Sequence, residues 1–145
     1  MSYTELFSEQ WQLIDTVYAL GVAANTETNS GAVAVNNFHR LVIIIHPMDI
    51  NDALDVDIEQ ATSTSGTLKS VDSGGKDITV ATADTKPSVI EIAADELDVS
   101  GGYDCINVEI TTADTAGDGN DFCVEIWGMP AYKPADTTLL DSVTD

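Results

Sequence analysis

From residue 38 onward, short apolar runs recur along this chain, each cut off by a glycine-, proline- or aspartate-rich turn. "FHRLVIIIH" (38–46) stops at Pro47, "ALDVDIEQA" (53–61) alternates cleanly, and "DITVATA" (77–83) follows the turn signal "DSGGKD". "SVIEIAA" (88–94) follows Pro87, "YDCINVEITT" (103–112) follows Gly101-Gly102, and "DFCVEIWG" (121–128) ends before Met129-Pro130. Runs of this length and period are strands, and strands at such regular intervals close into a sandwich or barrel. Helical spacing is confined to the first twenty residues, where Phe7, Trp11, Ile14 and Tyr18 share a period. The same stretch also suits an extended strand, so it is expected as either a short helix or an arm.

The expected fold is therefore all-β: a β-sandwich or jelly-roll-like single domain of about six to eight strands. An N-terminal arm or short helical segment would occupy 1–30, the sandwich 31–130 and a C-terminal tail 131–145. A chain of 145 residues buries roughly 70% of its unfolded surface, enough for a core without metal or disulfide staples. The run "LVIII" (41–45) is expected in a strand buried on both faces, because it leaves no polar side.

The stretch "DALDVDIEQAT" (52–62) alternates Leu54, Val56 and Ile58 with Asp55, Asp57 and Glu59. Same-face neighbours on a strand stand about 6.5–7 Å apart. A calcium ion needs six or more oxygens at about 2.3–2.6 Å, so one flat strand does not gather these carboxylates around an ion. They are expected as the solvated face of a half-buried strand.

Charge narrows the function further. Twenty-five acids against five bases give a formal net of −20. Such a field repels phosphate backbones and anionic lipid surfaces, so nucleic-acid and membrane partners are not expected. A partner with a basic patch, a highly soluble surface or a salty medium fits this balance. The opening "MSYTELFSEQ" has no basic and apolar leader pattern, and no run approaches the roughly 20 apolar residues of a membrane span. Synthesis in a cytoplasm is the expectation, with Cys105 and Cys123 reduced.

The sequence offers little catalytic chemistry. "DTAGDGNDFCVE" (114–125) places Asp114, Asp118, Gly119 and Glu125 at positions 1, 5, 6 and 12 of a calcium loop. Position 3 is Ala116, and "FCVE" reads as a strand rather than an entering helix, so a hairpin loop of turn formers explains the composition more simply. His39 and His46 fall on opposite faces of one strand and cannot share a metal. No serine stands in a nucleophile-elbow context, and no glycine-rich phosphate loop links a strand to a helix. Cys105 and Cys123 share the parity of Asn107, Glu109, Glu125 and Trp127, neighbours that raise a thiol pKa. No enzyme, cofactor or metal is expected. Binding is the better expectation, because aromatic and aliphatic residues gather at the two ends. Tyr3, Leu6, Phe7 and Trp11 lie at one end and Tyr132 at the other, as anchors for a partner.

With "SYTELFSEQ", "DVDIEQATSTSGT", "ELDVSGGYDCINVEIT" and "VEIWGMPAYKP" in this order, the chain resembles the capsid decoration, or cement, proteins of tailed bacteriophages over about residues 3–134. The resemblance implies a virion structural protein on the outer surface of the head. It would be made in the host cytoplasm, bind the major capsid protein lattice and stabilise the expanded shell. It further implies self-association, favouring trimers, and a contact role for Tyr3 through Trp11. The excess acidity and the two cysteines depart from what the family requires. The alternative is a carbohydrate- or receptor-binding β-module of adhesin type, assisted by calcium at Asp114, Asp118 and Glu125 and using Trp127 as a platform.

Overall fold

The computed structural model describes residues 7–71, 76–82, 86–113 and 119–131. One helical turn, α1 (Phe7–Gln10), leads into β1 (Gln12–Val22), β2 (Glu27–Asn29), β3 (Val33–Ala34), β4 (Phe38–Asp49) and β5 (Leu54–Ala61). Then follow β6 (Lys69–Ser70), β7 (Ile78–Val80), β8 (Ser88–Ala93), two 3-10 turns (Ala94–Glu96 and Val99–Gly101), β9 (Cys105–Thr112) and β10 (Asn120–Pro130). Both readings of the N-terminal stretch hold in part, since it is a helical turn and then a long strand. The expected boundary at residue 30 falls between β2 and β3, and the strands before it belong to the same two sheets.

The strands form two antiparallel sheets. One has the order β1-β10-β4-β8; the other has β2-β9-β5-β6, with β3 also on β9 and β7 also on β5. The long pairings are β1 and β4 on β10 and β5 on β9, the last running unbroken from Leu54↔Thr112 to Ala61↔Cys105. Alternation then decides which side chains meet. The four-stranded sheet turns inward Leu41, Ile43 and Ile45 of β4, Ile90 and Ile92 of β8, and Phe122, Val124 and Ile126 of β10. Against them the six-stranded sheet sets Leu54, Val56 and Ile58 of β5 and Ile106, Val108 and Ile110 of β9. Each such side chain removed from water contributes about 1.5–3 kcal/mol, which makes this interior the dominant stabilising element. The all-β sandwich expected from the sequence is the observed fold. Its ten described strands exceed the expected number because short strands such as β2, β3 and β6 carry too few residues to show a period.

Three local expectations change. Pro47 does not end its strand; β4 continues to Asp49. The pairing of β4 with β8 stops at Ile45↔Ser88, so Pro47 sits where one side of β4 is open, a position proline tolerates. The expected hairpin between β9 and β10 is instead a crossing from one sheet to the other. Cys105 and Cys123 consequently lie on opposite sheets, both as free thiols. Stacked sheets are about 10 Å apart, beyond disulfide reach. Third, β4 is closed on its inner side only: Leu41, Ile43 and Ile45 are buried, while Val42 and Ile44 on the outer side are half-buried.

Two devices fix the ends of the sandwich. The buried Asn120 side chain accepts the N–H groups of Asn51 (2.8 Å) and Asp52 (2.9 Å) and donates to the Val22 carbonyl (3.1 Å), tying the end of β1 and the β4–β5 turn to β10. At the other end the Phe38 ring lies over Gly128, where an added Cβ would come within 2.3 Å of Phe38 Cδ1.

Candidate functional site

The two sheets turn different outer faces to solvent. On the six-stranded sheet, β2, β5, β7 and β9 contain no lysine, arginine or histidine. Cross-strand register places Asp57 opposite Glu109, Glu109 also opposite Asn29, and both Glu27 and Asp55 opposite Thr111. Asp55, Asp57, Asp77, Thr79, Glu109 and Thr111 line a shallow pocket of about 280 Å³. Like charges directly opposite are unfavourable, and the neighbours relieve only part of this. Thr79 Oγ1 donates to Asp55 (2.7 Å), and Asn107 Nδ2 donates to Glu59 (2.9 Å). The neighbouring Asp77, as hydrogen-bond acceptor for a protonated Asp57, then burial and the charges of Asp77, Glu109 and Glu59, raise the Asp57 pKa from 3.8 to about 6. Burial, followed by Glu27 and Glu59, pushes Glu109 upward too. Among the described residues no group of three His, Cys, Asp or Glu is placed to hold a metal ion.

The four-stranded sheet presents the opposite chemistry. Register lays its outer residues in rows across β1, β10, β4 and β8. One row is Leu13, Trp127, Val42 and Glu91; the next is Thr16, Glu125, Ile44 and Val89; a third is Tyr18, Cys123 and His46. Tyr18 (64% exposed), Leu20 (59%) and Val89 (52%) stand open at its two edges. Two of its acids have partners: Glu91 pairs with Arg40 (3.8 Å), and Glu125 accepts from Trp127 Nε1 (3.0 Å) with His46 Nε2 3.5 Å away. These contacts are solvent-exposed and add little stability. Burial, then Glu125, raises the Cys123 thiol pKa; burial, then Asp104, raises that of Cys105. Both shifts take the direction expected from the sequence, away from an activated nucleophile.

Of the expected anchors, Phe7 and Trp11 fall at one corner of this apolar face. Trp11 N–H donates to the Phe7 carbonyl (2.9 Å), closing the helical turn, and the Phe7 ring meets Trp127 edge-on with centroids 5.2 Å apart. Phe7 stays 60% exposed on its far side. Tyr3, Leu6 and Tyr132 lie outside the described residues, as do Asp114 and Asp118 of the calcium alternative. Glu125, its third member, is in the middle of β10 on the outer face. Trp127 is not an open platform, because Phe7 covers one side and its N–H is held by Glu125.

An outward apolar side at Val42 and Ile44, flanked by exposed Leu20 and Val89, was not expected. The signal was present in "LVIII": five consecutive apolar residues in a strand make both of its faces apolar, whether or not anything covers the second.

No protein-family model and no curated protein matches the chain. Solved structures resemble it weakly. The SPBc2 prophage-derived protein YomS is 11% identical, with 77% of this chain and 93% of that one covered at a TM-score of 0.41. A family 11 carbohydrate-binding module from Clostridium thermocellum, in complex with a mixed-linked tetrasaccharide, is 10% identical over 92% and 95% at 0.43. The Tobacco streak virus coat protein, solved as a dimer, is 11% identical over 97% and 98%, also at 0.43. At these scores the likenesses carry no argument about function.

Proposed function

We propose that the chain is a virion structural protein and not an enzyme. In this reading it is a bacteriophage capsid decoration protein that binds the outside of the major capsid protein lattice and stabilises the expanded head. The observation that carries this reading is the outer face of the six-stranded sheet. Glu27, Asp55, Asp57, Glu59 and Glu109 project from it with no base on the strands that bear them. Such a surface stays hydrated and repels other copies and nucleic acid. It suits the water side of a module laid on a larger particle.

The mechanism is mass action. A module that binds the expanded lattice and not its precursor shifts the balance toward the expanded, intact shell, by about 2.7 kcal/mol per site at a hundredfold excess over Kd. Many copies on one lattice add to this through effective concentration, and grouping into trimers belongs to that assembled state. No helix among the described residues is long and apolar enough to cross a membrane.

Co-sedimentation with expanded heads and with unexpanded precursors tests the proposal. The expected result is strong binding to expanded heads only. Equal binding to both forms contradicts the stabilising role.

A further inference from the structure

Four of the most exposed large apolar residues, Phe7, Tyr18, Leu20 and Val89, belong to one surface, the outer face of the four-stranded sheet and its Phe7–Trp127 corner. Scattered exposed apolar residues need no explanation, but a contiguous patch does. Here Ile44 and Val42 lead from Val89 to Trp127 and Leu13 across the sheet, and Cys123 carries the surface on to Tyr18, with Glu125 standing between Trp127 and Cys123. Four strands at about 4.8 Å spacing and about seven residues of β10 at 3.3 Å give a patch on the order of 300 Å².

That area decides between occupants. Two copies packed face to face would bury on the order of 600 Å² in total, about half of what a stable interface needs. They would also bring together two chains of net charge −20. A larger protein surface gains where a second copy loses, because it can reach past the patch to its rim. At one end of the patch Asp121 stands opposite Asp49 across β10 and β4. Inside the patch Glu91 is paired with Arg40 and Glu125 accepts from Trp127 Nε1, so it is the facing aspartates of the rim that ask for bases.

We propose that the outer face of the four-stranded sheet is the docking surface, and that its occupant is a flat protein surface with an apolar centre and a basic rim. Resting on the coating function proposed above, that occupant is the outer face of the capsid lattice. Tyr18, Leu20 and Val89 seat in the apolar centre, Phe7 extends the contact past Trp127, and the six-stranded sheet points to solvent.

Co-sedimentation of Leu20→Lys and Val89→Lys variants with expanded heads tests this, alongside Glu27→Gln on the acidic face. Thermal melts of all three confirm folding, since the substituted side chains are exposed. The expected result is at least about a tenfold loss of affinity for the two lysine variants, wild-type affinity for Glu27→Gln, and a monomer by sedimentation velocity without heads. If wild type binds and both lysine variants bind within about twofold of it, the docking face is wrong and the coating function stands. If wild type does not bind heads, both fail. A stable dimer of free wild type that Val89→Lys disrupts overturns the occupant in favour of a second copy.

Discussion

The two outer faces of this sandwich are built on one core by one rule of alternation, yet they differ in almost every property that matters to a partner. On β5 and β9, each inward Leu, Val or Ile alternates with a carboxylate, an amide or a hydroxyl. On β4, inward Leu41, Ile43 and Ile45 alternate with Val42 and Ile44, so the outward side is apolar as well. The acidic face is the costlier one to fold, because Asp57 faces Glu109 and is flanked on its own strand by Asp55 and Glu59. The apolar face costs little in the isolated chain, but it leaves Tyr18, Leu20 and Val89 exposed. The difference teaches that polarity on a sandwich is assigned strand by strand, and that the two faces carry different costs: crowded carboxylates on one, apolar surface left in water on the other.

The core beneath both faces should be the most sensitive part, and breaking it should affect the two faces alike. Gly128→Ala puts a Cβ into the Phe38 ring. The expected cost of such overpacking is about 1–3 kcal/mol. Thermal denaturation checks it, and Phe38→Leu in the same background should recover part of the loss.

Acidification should then act on one face only. Asp57 binds its proton more tightly in the folded chain, with a pKa of about 6 against 3.8. Its contribution to stability is therefore full below about pH 4 and is lost as pH rises through 6, so the melting temperature should be higher at pH 5 than at pH 7.5. Glu109 is shifted in the same direction. Glu96 and Asp98 run the other way. Lys76 first, then the Ala93 N–H, lowers the Glu96 pKa, while Lys69 first, then the Gly101 N–H, lowers that of Asp98. Those contributions hold above the usual carboxylate range and disappear as pH falls through it, so the optimum lies between about pH 4.5 and 6. Asp57→Asn should stabilise the protein at pH 7.5 by on the order of 1–2 kcal/mol after solvent screening, and the gain should vanish near pH 4. Melts across this range in wild type and variant measure it.

Val89→Lys, on the other face, should change stability least, within about 0.5 kcal/mol, with no pH dependence of its own between pH 4 and 7.5. A large loss of stability would mean that the apolar face serves folding rather than docking.

The fold was largely legible in the sequence because its main strands alternate strictly. "ALDVDIEQA" states its own burial, and β5 buries Leu54, Val56 and Ile58 while turning out Asp55, Asp57 and Glu59. What was not legible is set by contacts distant in sequence. Nothing local to "TTADTAGDGND" says that the chain leaves one sheet for the other, which is why a hairpin was expected between β9 and β10. Pro47 reads as a terminator until the short reach of β8 along β4 is known. The proposed docking face was half legible. Phe7 and Trp11 were expected as anchors from their place near the end, but Tyr18, Ile44 and Val89 are brought onto one face only through the register of β1, β10, β4 and β8.

The central claim is an orientation: apolar sheet toward the partner, acidic sheet toward water. Electron microscopy of decorated expanded heads measures it directly. The account predicts Tyr18, Leu20 and Val89 against the shell, with Asp55, Asp57 and Glu109 facing solvent. Copies bound with the six-stranded sheet against the shell, or standing on one end of the sandwich with both sheets in water, would contradict it.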